Sequence, residues 1–274
     1  MDGILIVDKK EGMTSFDVVR DTRKKYNEKK VGHIGTLDPL ASGVLPVLIG
    51  KATKLSDYLM NHDKEYVAKI KLGKSTETGD REGNVIETED VPNNLNEENI
   101  QNVLNEFLGQ TFQIPPMYSA LKVNGKKLYE IARSGQNVER QPRKISISEI
   151  KIIKYDTSNK EIEYKVTCSK GTYIRVLSED IAKKLNTCGY MSYLRRTRVG
   201  DFKISDSGKF IPLEKIFKDN LNVIIDNQAK LDYFLNGGKI NYKYKDSLCN
   251  IYYNQKFIGI GKIENEQLRR FIII

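Results

Sequence analysis

A two-residue hydrophobic period at 65–73 limits the fold of this chain more than any other feature of its sequence. In EYVAKIKLG, apolar side chains at the even positions alternate with mainly charged side chains at the odd positions. This alternation predicts a β-strand with one buried face and one exposed face. The segment EIEYKVTC at 161–168 alternates in the same way, and GILIV at 3–7 predicts a first strand. The chain is therefore expected to build a sheet.

Segments with helical periodicity lie between the predicted strands. TSFDVVRDTRKKYN at 14–27 begins with a capping-box pair, Thr14 and Asp17, and its predicted buried stripe is Phe16, Val19 and Tyr26. A second predicted helix ends at Gly109 and has one apolar face, made of Ile100, Val103, Leu104, Phe107 and Leu108. A third ends at Gly189 and aligns Leu177, Ile181 and Leu185.

The carboxyl-terminal part of the chain has a different pattern. FIPLEKIFKDNLN at 210–222 is compatible with a connecting helix. From about residue 228 the sequence shows short strands and turns, and no helical periodicity is apparent. The whole pattern predicts an α+β fold with a small all-β domain appended.

Composition limits the classes of function that the chain can have. The 45 Lys and Arg residues exceed the 36 Asp and Glu residues, and the net charge of +9 is compatible with a polyanionic partner or with an ordinary basic protein. Two histidines and three widely spaced cysteines, Cys168, Cys188 and Cys249, favour neither a disulfide framework nor a metal centre. No apolar run reaches the length of a membrane span, and a signal peptide is not expected. We therefore expect a cytoplasmic protein without metal or membrane contact.

The carboxylate of Asp38, in GHIGTLDPLASGVL at 32–45, has two interpretations. Aspartate followed by proline often begins a helix, because aspartate accepts hydrogen bonds from first-turn amides and proline fits the first helical position. However, three glycines crowd this stretch and would let the backbone approach a ligand, and His33 lies five residues before the aspartate. The residues alone leave open whether Asp38 caps a helix or acts on a substrate.

The same stretch, extended to GHIGTLDPLASGVLPVLIGKATK, resembles the signature of the TruB family of tRNA pseudouridine synthases. Four further motifs occur in the order of that family: DKKEGMTS, EYVAKIKLGKSTETGDREG, PPMYSALKVNGKKLYEIAR, and CSKGTYIRVL with YLRRTRVG. They span residues 1 to about 200. The resemblance implies a pseudouridine synthase fold over residues 1–226, with a mixed, mainly antiparallel central sheet flanked by helices. It also implies an enzyme that isomerises uridine 55 in the T-loop of tRNA to pseudouridine without a cofactor.

The resemblance implies catalytic roles for three residues. Asp38 matches the nucleophilic carboxylate, and the sequence does not say whether it acts on the ribose or on the base. Tyr66 matches a tyrosine that stacks on the target uracil and can take the proton from its carbon 5. Arg175 matches the arginine that pairs with the aspartate, for which we expect a two-pronged contact. Without the resemblance, Tyr66 would be interpreted as strand packing and Arg175 as a surface ion-pairing residue.

Five further residues are expected at the substrate site from the resemblance. Leu194 matches the apolar residue that closes the pocket over the base. His33 matches the histidine that fills the gap left by the extruded nucleotide. Asp80, in TGDREG, matches a recurrent acidic position and is expected to support the site or to face the RNA. Lys9 and Gly35, from the first two motifs, complete the expected set.

Basic residues on both sides of these motifs are expected to bind RNA phosphates. RKKYNEKK at 23–30 has five basic residues and one acidic residue, and the expected contacts there are Arg23, Lys24, Lys29 and Lys30. Further contacts are expected from Lys122, Lys126 and Arg143, in or at the end of an insertion at about 117–143. In the family this insertion clasps the RNA stem-loop, so we expect disorder or displacement there without RNA. Asn124-Gly125 predicts a hairpin turn within it.

The predicted C-terminal domain, 227–274, resembles a short PUA domain, a β-barrel-like RNA-binding module. The supporting segments are FLNGGKI at 234–240 and KFIGIGKI at 256–263, and an unrelated β-rich cap is the alternative. The expected partner is the T-arm stem-loop of tRNA, and we expect a monomer with no obligatory protein partner. Three other functions stay open: a guide-RNA-dependent enzyme of the dyskerin type, a non-catalytic RNA-binding protein, and a nucleoside glycosidase.

Overall fold

Strands and helices alternate through residues 1–123 and 125–274, the part of the chain that this computed structural model describes. The strands are β1 (Gly3–Lys9), β2 (Val31–His33), β3 (Ser42–Ile49), β4 (Lys64–Leu72), β5 (Lys74–Thr76), β6 (Val85–Thr88), β7 (Gly109–Gln113), β8 (Lys122–Val123), β9 (Lys126–Lys127), β10 (Arg143–Asp156), β11 (Glu161–Cys168), β12 (Gly189–Val199), β13 (Phe202–Lys203), β14 (Phe210–Pro212), β15 (Asn222–Ile224), β16 (Ile240–Asn241), β17 (Ser247–Tyr253), β18 (Lys256–Glu264) and β19 (Gln267–Ile273).

The α-helices are α1 (Ser15–Tyr26), α2 (Ser56–Leu59), α3 (Glu97–Asn105), α4 (Leu128–Arg133), α5 (Ile174–Lys184), α6 (Leu213–Ile216) and α7 (Gln228–Leu235). Two 3-10 helices cover Gly50–Leu55 and Ile204–Asp206. Within the described residues, no helix is both long enough and apolar enough to cross a lipid bilayer.

A ten-stranded sheet forms the centre of the molecule. Its strand order is β14-β1-β3-β12-β4-β11-β10-β7, with β2 paired to β3 and β13 paired to β12. The β3–β12 pair is parallel, and the other pairs of this sheet are antiparallel. The prediction of a mixed, mainly antiparallel sheet with flanking helices is confirmed.

Strand β4 has the predicted alternation, with Lys64 and every second residue after it buried. The buried face packs in one hydrophobic cluster with apolar residues of α3 and α5. Helix α5 contributes Leu177 and Ile181 to that cluster, as the helical periodicity predicts. One face of β4 therefore lies against helices, and this face also leads to the candidate site.

Four helix predictions need correction. The Thr14–Asp17 capping box is present, but Phe16 is 60% exposed because the buried face of α1 consists of Ser15, Val18, Val19 and Thr22. Gly109 and Gly189 do not end helices, since each is the first residue of a strand, β7 or β12. The segment 210–222 contains only the four-residue helix α6 between two strands, and is not one connecting helix.

The C-terminal region contains a five-stranded sheet in the order β15-β17-β18-β19-β16. This sheet is an open path, because its end strands, β15 and β16, do not pair within the described residues. A closed PUA-type barrel is therefore not observed. The sheet also begins at Asn222, before the expected boundary at 227, and the expectation of no helix after residue 228 is wrong for α7. Leu231 and Phe234 of α7 are buried, and the short length of that helix concealed its periodicity.

The C-terminal sheet shares a hydrophobic core with the central sheet. Leu248, Ile260 and Ile272 belong to the same buried cluster as Ile4 and Val44. Contact with β1 and β3 therefore stabilises the strands that lead to the Asp38 motif. In the insertion, β8 and β9 pair with each other, and Asn124 of the predicted turn lies outside the described residues.

A close approach of β3 to β12 fixes the position of the Asp38 motif. Gly43 has a φ of 111°, and a Cβ added there would lie 2.1 Å from the carbonyl oxygen of Arg196. Only glycine tolerates both the φ value and the contact with backbone atoms.

We therefore expect Gly43→Ala to lower the free energy of unfolding by about 3 kcal/mol or more, because β3 and β12 must separate. Urea denaturation measures the change. Gly32→Ala is the matched control, since Gly32 lies on β2 with no heavy atom within 4 Å of its added Cβ. Equal effects of the two substitutions would show that the close approach does not limit stability.

Candidate active site

Asp38 lies in an irregular loop, residues 34–41, which joins β2 to β3 and is here called the Asp38 loop. The carbonyl oxygen of Asp38 accepts a hydrogen bond from the Ala41 amide at 3.0 Å, which closes a turn through Pro39. Strand β3 begins directly afterwards, at Ser42. Because no helix follows Asp38, the helix-cap interpretation is wrong.

Polar groups from β1 and α1 hold one side of the Asp38 loop. The Ser15 hydroxyl accepts a hydrogen bond from the Leu37 amide at 2.8 Å and donates to the Leu37 carbonyl at 3.1 Å. The Pro39 carbonyl accepts hydrogen bonds from the Gly12 amide at 2.9 Å and from Lys9 Nζ at 3.3 Å. The capping box that starts α1 thus places a loop-binding serine in its first turn.

Arg196 on β12 holds the other side of the Asp38 loop. Its Nε donates to the Val44 carbonyl at 2.8 Å, and its Nη2 donates to the Gly35 carbonyl at 2.9 Å. The side chain is almost completely buried, and this burial lowers the pKa of the guanidinium. Arg196 lies within the motif YLRRTRVG, from which no role for it was predicted. The sequence feature that could have identified Arg196 is its spacing of two residues from Leu194, because side chains two residues apart on a strand lie on the same face.

The guanidinium of Arg175 joins Asp38 to its surroundings. Its Nε lies 3.1 Å from Asp38 Oδ2, and its Nη1 and Nη2 donate to the carbonyls of Thr78 and Tyr118 at 3.1 and 2.8 Å. The ion pair with Asp38 was predicted, but the two-pronged contact was not found, because backbone carbonyls bind the other nitrogens. Arg175 lies in the first turn of α5, where the helix dipole disfavours a cation, so another interaction must hold it there.

A cleft of about 630 Å³ opens above these groups. Within the described residues, Asp38 is the one carboxylate that lines it, and 38% of its side chain is exposed. Six cationic side chains also line the cleft: Lys64, Arg143, Lys144, Lys170, Arg175 and Arg196. The arrangement surrounds one accessible carboxylate with positive charge, which suits an anionic ligand.

Tyr66, Leu194 and Gly35 line the same cleft. Tyr66 is 8% exposed, and burial raises the pKa of its phenol, an effect that the nearby Arg196 opposes. Leu194 is 6% exposed and lies on the neighbouring strand, opposite Ala68. Gly35 has a φ of 74°, and a Cβ added there would lie 3.3 Å from Arg196 Nη1. The structure thus brings together Asp38, Arg175, Tyr66, Leu194 and Gly35.

Three other expected site residues lie outside the lining of the cleft. Asp80 is buried behind Arg175, with Oδ2 3.8 Å from Arg175 Nη1 and Oδ1 accepting from Thr78 Oγ1 at 2.6 Å, so it supports the site. Lys9 is completely buried and donates to three backbone carbonyls, so the expected substrate contact is not supported in this structure. His33 is half-buried at the end of β2, and burial lowers the pKa of its imidazole.

The expected RNA-binding residues are all exposed, but they occupy different places. Arg143 lines the cleft. Arg23 and Lys24 lie on α1, Lys29 and Lys30 follow that helix, and Lys122 and Lys126 lie on β8 and β9. Arg23 also donates to the Val31 carbonyl at 3.2 Å, so it has a structural contact as well. Three further cations in the lining were not predicted from the sequence: Lys64, Lys144 and Lys170. The sequence feature that could have identified them is their position beside the motifs.

Metal-binding geometry is not found in the described residues, where no three His, Cys, Asp or Glu side chains form a group that could hold an ion. The three cysteines are buried and free. The chemistry available at the site is that of a carboxylate, the phenols of Tyr66 and Tyr173, several hydroxyl groups and several cations.

Comparison with known proteins gives the same family along most of the chain. The TruB family pseudouridylate synthase N-terminal domain matches residues 23–174, and the tRNA pseudouridylate synthase B C-terminal domain matches residues 175–236. The tRNA pseudouridine synthase B of Caldanaerobacter subterraneus subsp. tengcongensis is 47% identical over 282 residues, covering 98% of both chains. The protein of the same name from Clostridium kluyveri is 44% identical over 288 residues, again covering 98% of both chains.

A solved structure extends the similarity to the fold. A chain in the crystal structure of a Cbf5-Nop10-Gar1 complex superposes with a TM-score of 0.67 at 28% identity, covering 95% of this chain and 78% of that chain. The protein belongs to the TruB family of pseudouridylate synthases. It is therefore an isomerase with the pseudouridine synthase fold, and the family expected from the motifs is confirmed.

The contacts of Arg175 predict the effect of its replacement by lysine. A lysine has one nitrogen and cannot bind Asp38 and both backbone carbonyls in the same geometry. We expect Arg175→Lys to lower the pseudouridylate synthase turnover number by about 100-fold, because the carboxylate loses its orientation. Steady-state kinetics measure the loss.

Arg195→Lys is the matched control for that measurement. Arg195 is adjacent to Arg196 in the sequence but does not line the cleft. Its guanidinium donates hydrogen bonds to Asp8 Oδ2 at 3.0 Å and to Ser42 Oγ at 3.1 Å. We expect this variant to retain the turnover number of the wild type. Full activity of Arg175→Lys would show that a simple positive charge near Asp38 is sufficient.

Proposed function

We propose that this enzyme converts uridine 55 in the T-loop of tRNA to pseudouridine, with Asp38 as the nucleophile on a flipped-out nucleotide. The single observation that carries the proposal is the exposed Asp38 carboxylate, set among six cations in one cleft and 3.1 Å from Arg175. The relatives named tRNA pseudouridine synthase B support the choice of tRNA, since they match almost the whole chain.

The chemistry of the reaction suits this set of side chains. Pseudouridine formation breaks the bond between ribose C1′ and N1 of uracil, turns the base, and joins C1′ to C5. No atom is added and no redox change occurs, so the proposal needs no cofactor. A carboxylate can attack an electrophilic carbon and later leave, which divides one difficult exchange into two easier steps. Asp38 can take this role at ribose C1′ or at C6 of the base.

Tyr66 and Leu194 are proposed to hold the uracil while it is detached. Both line the cleft beside Asp38, and the aromatic ring offers a surface on which a planar base can stack. A raised pKa disfavours the phenolate form of Tyr66, which is the form that could take the proton from C5. If Tyr66 accepts the proton from C5, the adjacent Arg196 guanidinium is the group that stabilises the phenolate.

The position of Asp38 supports base flipping. The carboxylate lines a cleft and only 38% of its side chain is exposed, so a uridine within a stacked loop must leave the stack to reach it. We assign His33, at the end of β2, to the gap that the extruded nucleotide leaves.

Phosphate binding is assigned to basic residues in and around the cleft. Arg143, Lys144 and Lys170 are exposed at the cleft, and we propose that the basic residues exposed elsewhere add further phosphate contacts: Arg23, Lys24, Lys29, Lys30, Lys122 and Lys126. The insertion at 117–143 borders the site, since Ser119 and Leu121 line the cleft. We propose that the T-arm binds here and that the C-terminal sheet is a reduced PUA-type unit that adds RNA contacts. We further propose that the enzyme acts as a cytoplasmic monomer.

Asp38→Asn tests the assignment of the nucleophile. The amide keeps the shape of the side chain but is a poor nucleophile, so we expect no detectable pseudouridine in tRNA, a fall of at least about 10⁴-fold. Mass spectrometry of nucleosides from treated tRNA measures the product. We expect the dissociation constant for tRNA and the melting temperature to change little.

Asp90→Asn, which changes an exposed aspartate that does not line the cleft, is the control and should keep full activity. Retained activity of Asp38→Asn would remove the nucleophile assignment. Release of free uracil by the wild type would favour a glycosidase, and tRNA binding without any product would favour a non-catalytic RNA-binding protein.

A further inference from the structure

Two buried cations lie at the base of the cleft without a carboxylate partner among the described residues. Lys64, the first residue of β4, is 6% exposed, and Arg196 is 1% exposed. Lys64 Nζ donates to the carbonyls of Met60 and His62, and the Arg196 guanidinium donates to the carbonyls of Val44, Gly35 and Thr36. Neutral backbone oxygens therefore provide all of these contacts.

Both cations face the site of the proposed reaction. They line the cleft with Asp38 and Tyr66, and Lys64 precedes Tyr66 by two residues on the same face of β4. A Cβ added at Gly35 would lie 3.3 Å from Arg196 Nη1 and 3.7 Å from Lys64 Cε. The two side chains thus meet behind the loop that carries Asp38.

This arrangement has a large desolvation cost that carbonyl contacts offset only in part. A buried cation that has no carboxylate partner and borders a cleft is preorganised for negative charge that arrives or develops there. The ammonium group of Lys64 has three N–H donors, and the structure assigns two of them to backbone carbonyls. The third donor is available to a ligand in the cleft.

The proposed reaction places negative charge on the uracil ring by either route. If Asp38 attacks C1′, a carbon–oxygen bond forms, and the electron pair of the C1′–N1 bond moves to N1 and spreads to O2 and O4. If Asp38 adds to C6, the electron pair of the C5–C6 double bond moves towards O4, and the C1′–N1 bond then breaks with its electron pair going to N1. In both routes the carboxylate later leaves with its electron pair, C5 bonds to C1′, and the C5 proton passes to a base.

We propose that Lys64 is a further catalytic residue that donates a hydrogen bond to a uracil carbonyl oxygen and stabilises this charge. The positive charge of Arg196 beside it adds to that stabilisation. The proposal rests on the proposed function, because it requires a uridine in the cleft. Lys64 transfers no proton in this role, and its positive charge is required throughout the step.

The charge of Lys64 gives this role a pH dependence. Burial, with a further contribution from Arg196, lowers the pKa of Lys64 to about 8. The other charged or titratable groups that face it are Cys168 on β11, Lys170 and Asp63. Burial raises the pKa of Cys168 to about 11, and burial also raises that of Tyr66, so neither titrates near 8. Lys64 is charged below its pKa and neutral above it, so kcat/KM should fall as the pH rises through about 8.

The test compares Lys64→Met, Lys64→Arg and the wild type on unmodified tRNA. We expect Lys64→Met to lower the single-turnover rate by about 100-fold, with KM within about threefold of the wild-type value. The alkaline fall in kcat/KM should be present in the wild type and absent in both variants. Lys64→Arg should retain about a tenth or more of the wild-type rate, because arginine keeps the charge at high pH.

Lys69→Met is the matched control, because it removes one positive charge from the other face of β4, where Lys69 pairs with Glu161 at 3.2 Å. This variant should keep the wild-type rate and pH profile. The proposal is overturned if Lys64→Met keeps a rate within threefold of the wild type, if its loss is confined to KM, or if the alkaline fall persists in Lys64→Arg. Inactive wild type or active Asp38→Asn would instead reject the proposed function itself.

Discussion

The geometry of the site depends on hydrogen bonds to the backbone of one irregular loop. Residues 34–41 have no strand or helix partners of their own through most of their length, so other groups must satisfy their polar atoms. Lys9 from β1, Ser15 from α1 and Arg196 from β12 supply these bonds. The Asp38 carboxylate can remain exposed because the loop beneath it is held from three separate elements. Gly43 makes this possible by letting β3 and β12 approach closely.

The described residues of the site carry more positive than negative charge. Arg175 contacts a carboxylate, whereas Lys64 and Arg196 are buried against neutral carbonyls. Such burial reduces stability, which is compatible with a role for these cations in function rather than in folding. Among the described residues, one carboxylate and six cations line the cleft, an arrangement that favours an anionic substrate and would stabilise negative charge formed in the proposed reaction. Binding and catalysis would then use the same electrostatic field.

Sequence patterns predicted the parts of this arrangement that depend on local spacing. The alternation of β4 placed Tyr66 correctly on a buried face, and the Thr14–Asp17 pair correctly marked the start of α1. Phe16 was misplaced because the core side of a helix is decided by what packs against it, and β1 and β3 select Val18 and Val19. The resemblance to the family pointed to Asp38 and Arg175, which the structure brings together. It did not point to Lys64 or Arg196, since their burial arises from contacts distant along the chain.

Mapping of pseudouridine at nucleotide resolution tests the central claim most directly. Purified protein is incubated with an unmodified tRNA transcript, and every uridine is then examined for conversion. The account predicts one new pseudouridine, at position 55 in the T-loop, with no free uracil released. Conversion elsewhere with position 55 unchanged, or no conversion while the tRNA remains bound, would contradict the claim that this loop presents a carboxylate to that nucleotide.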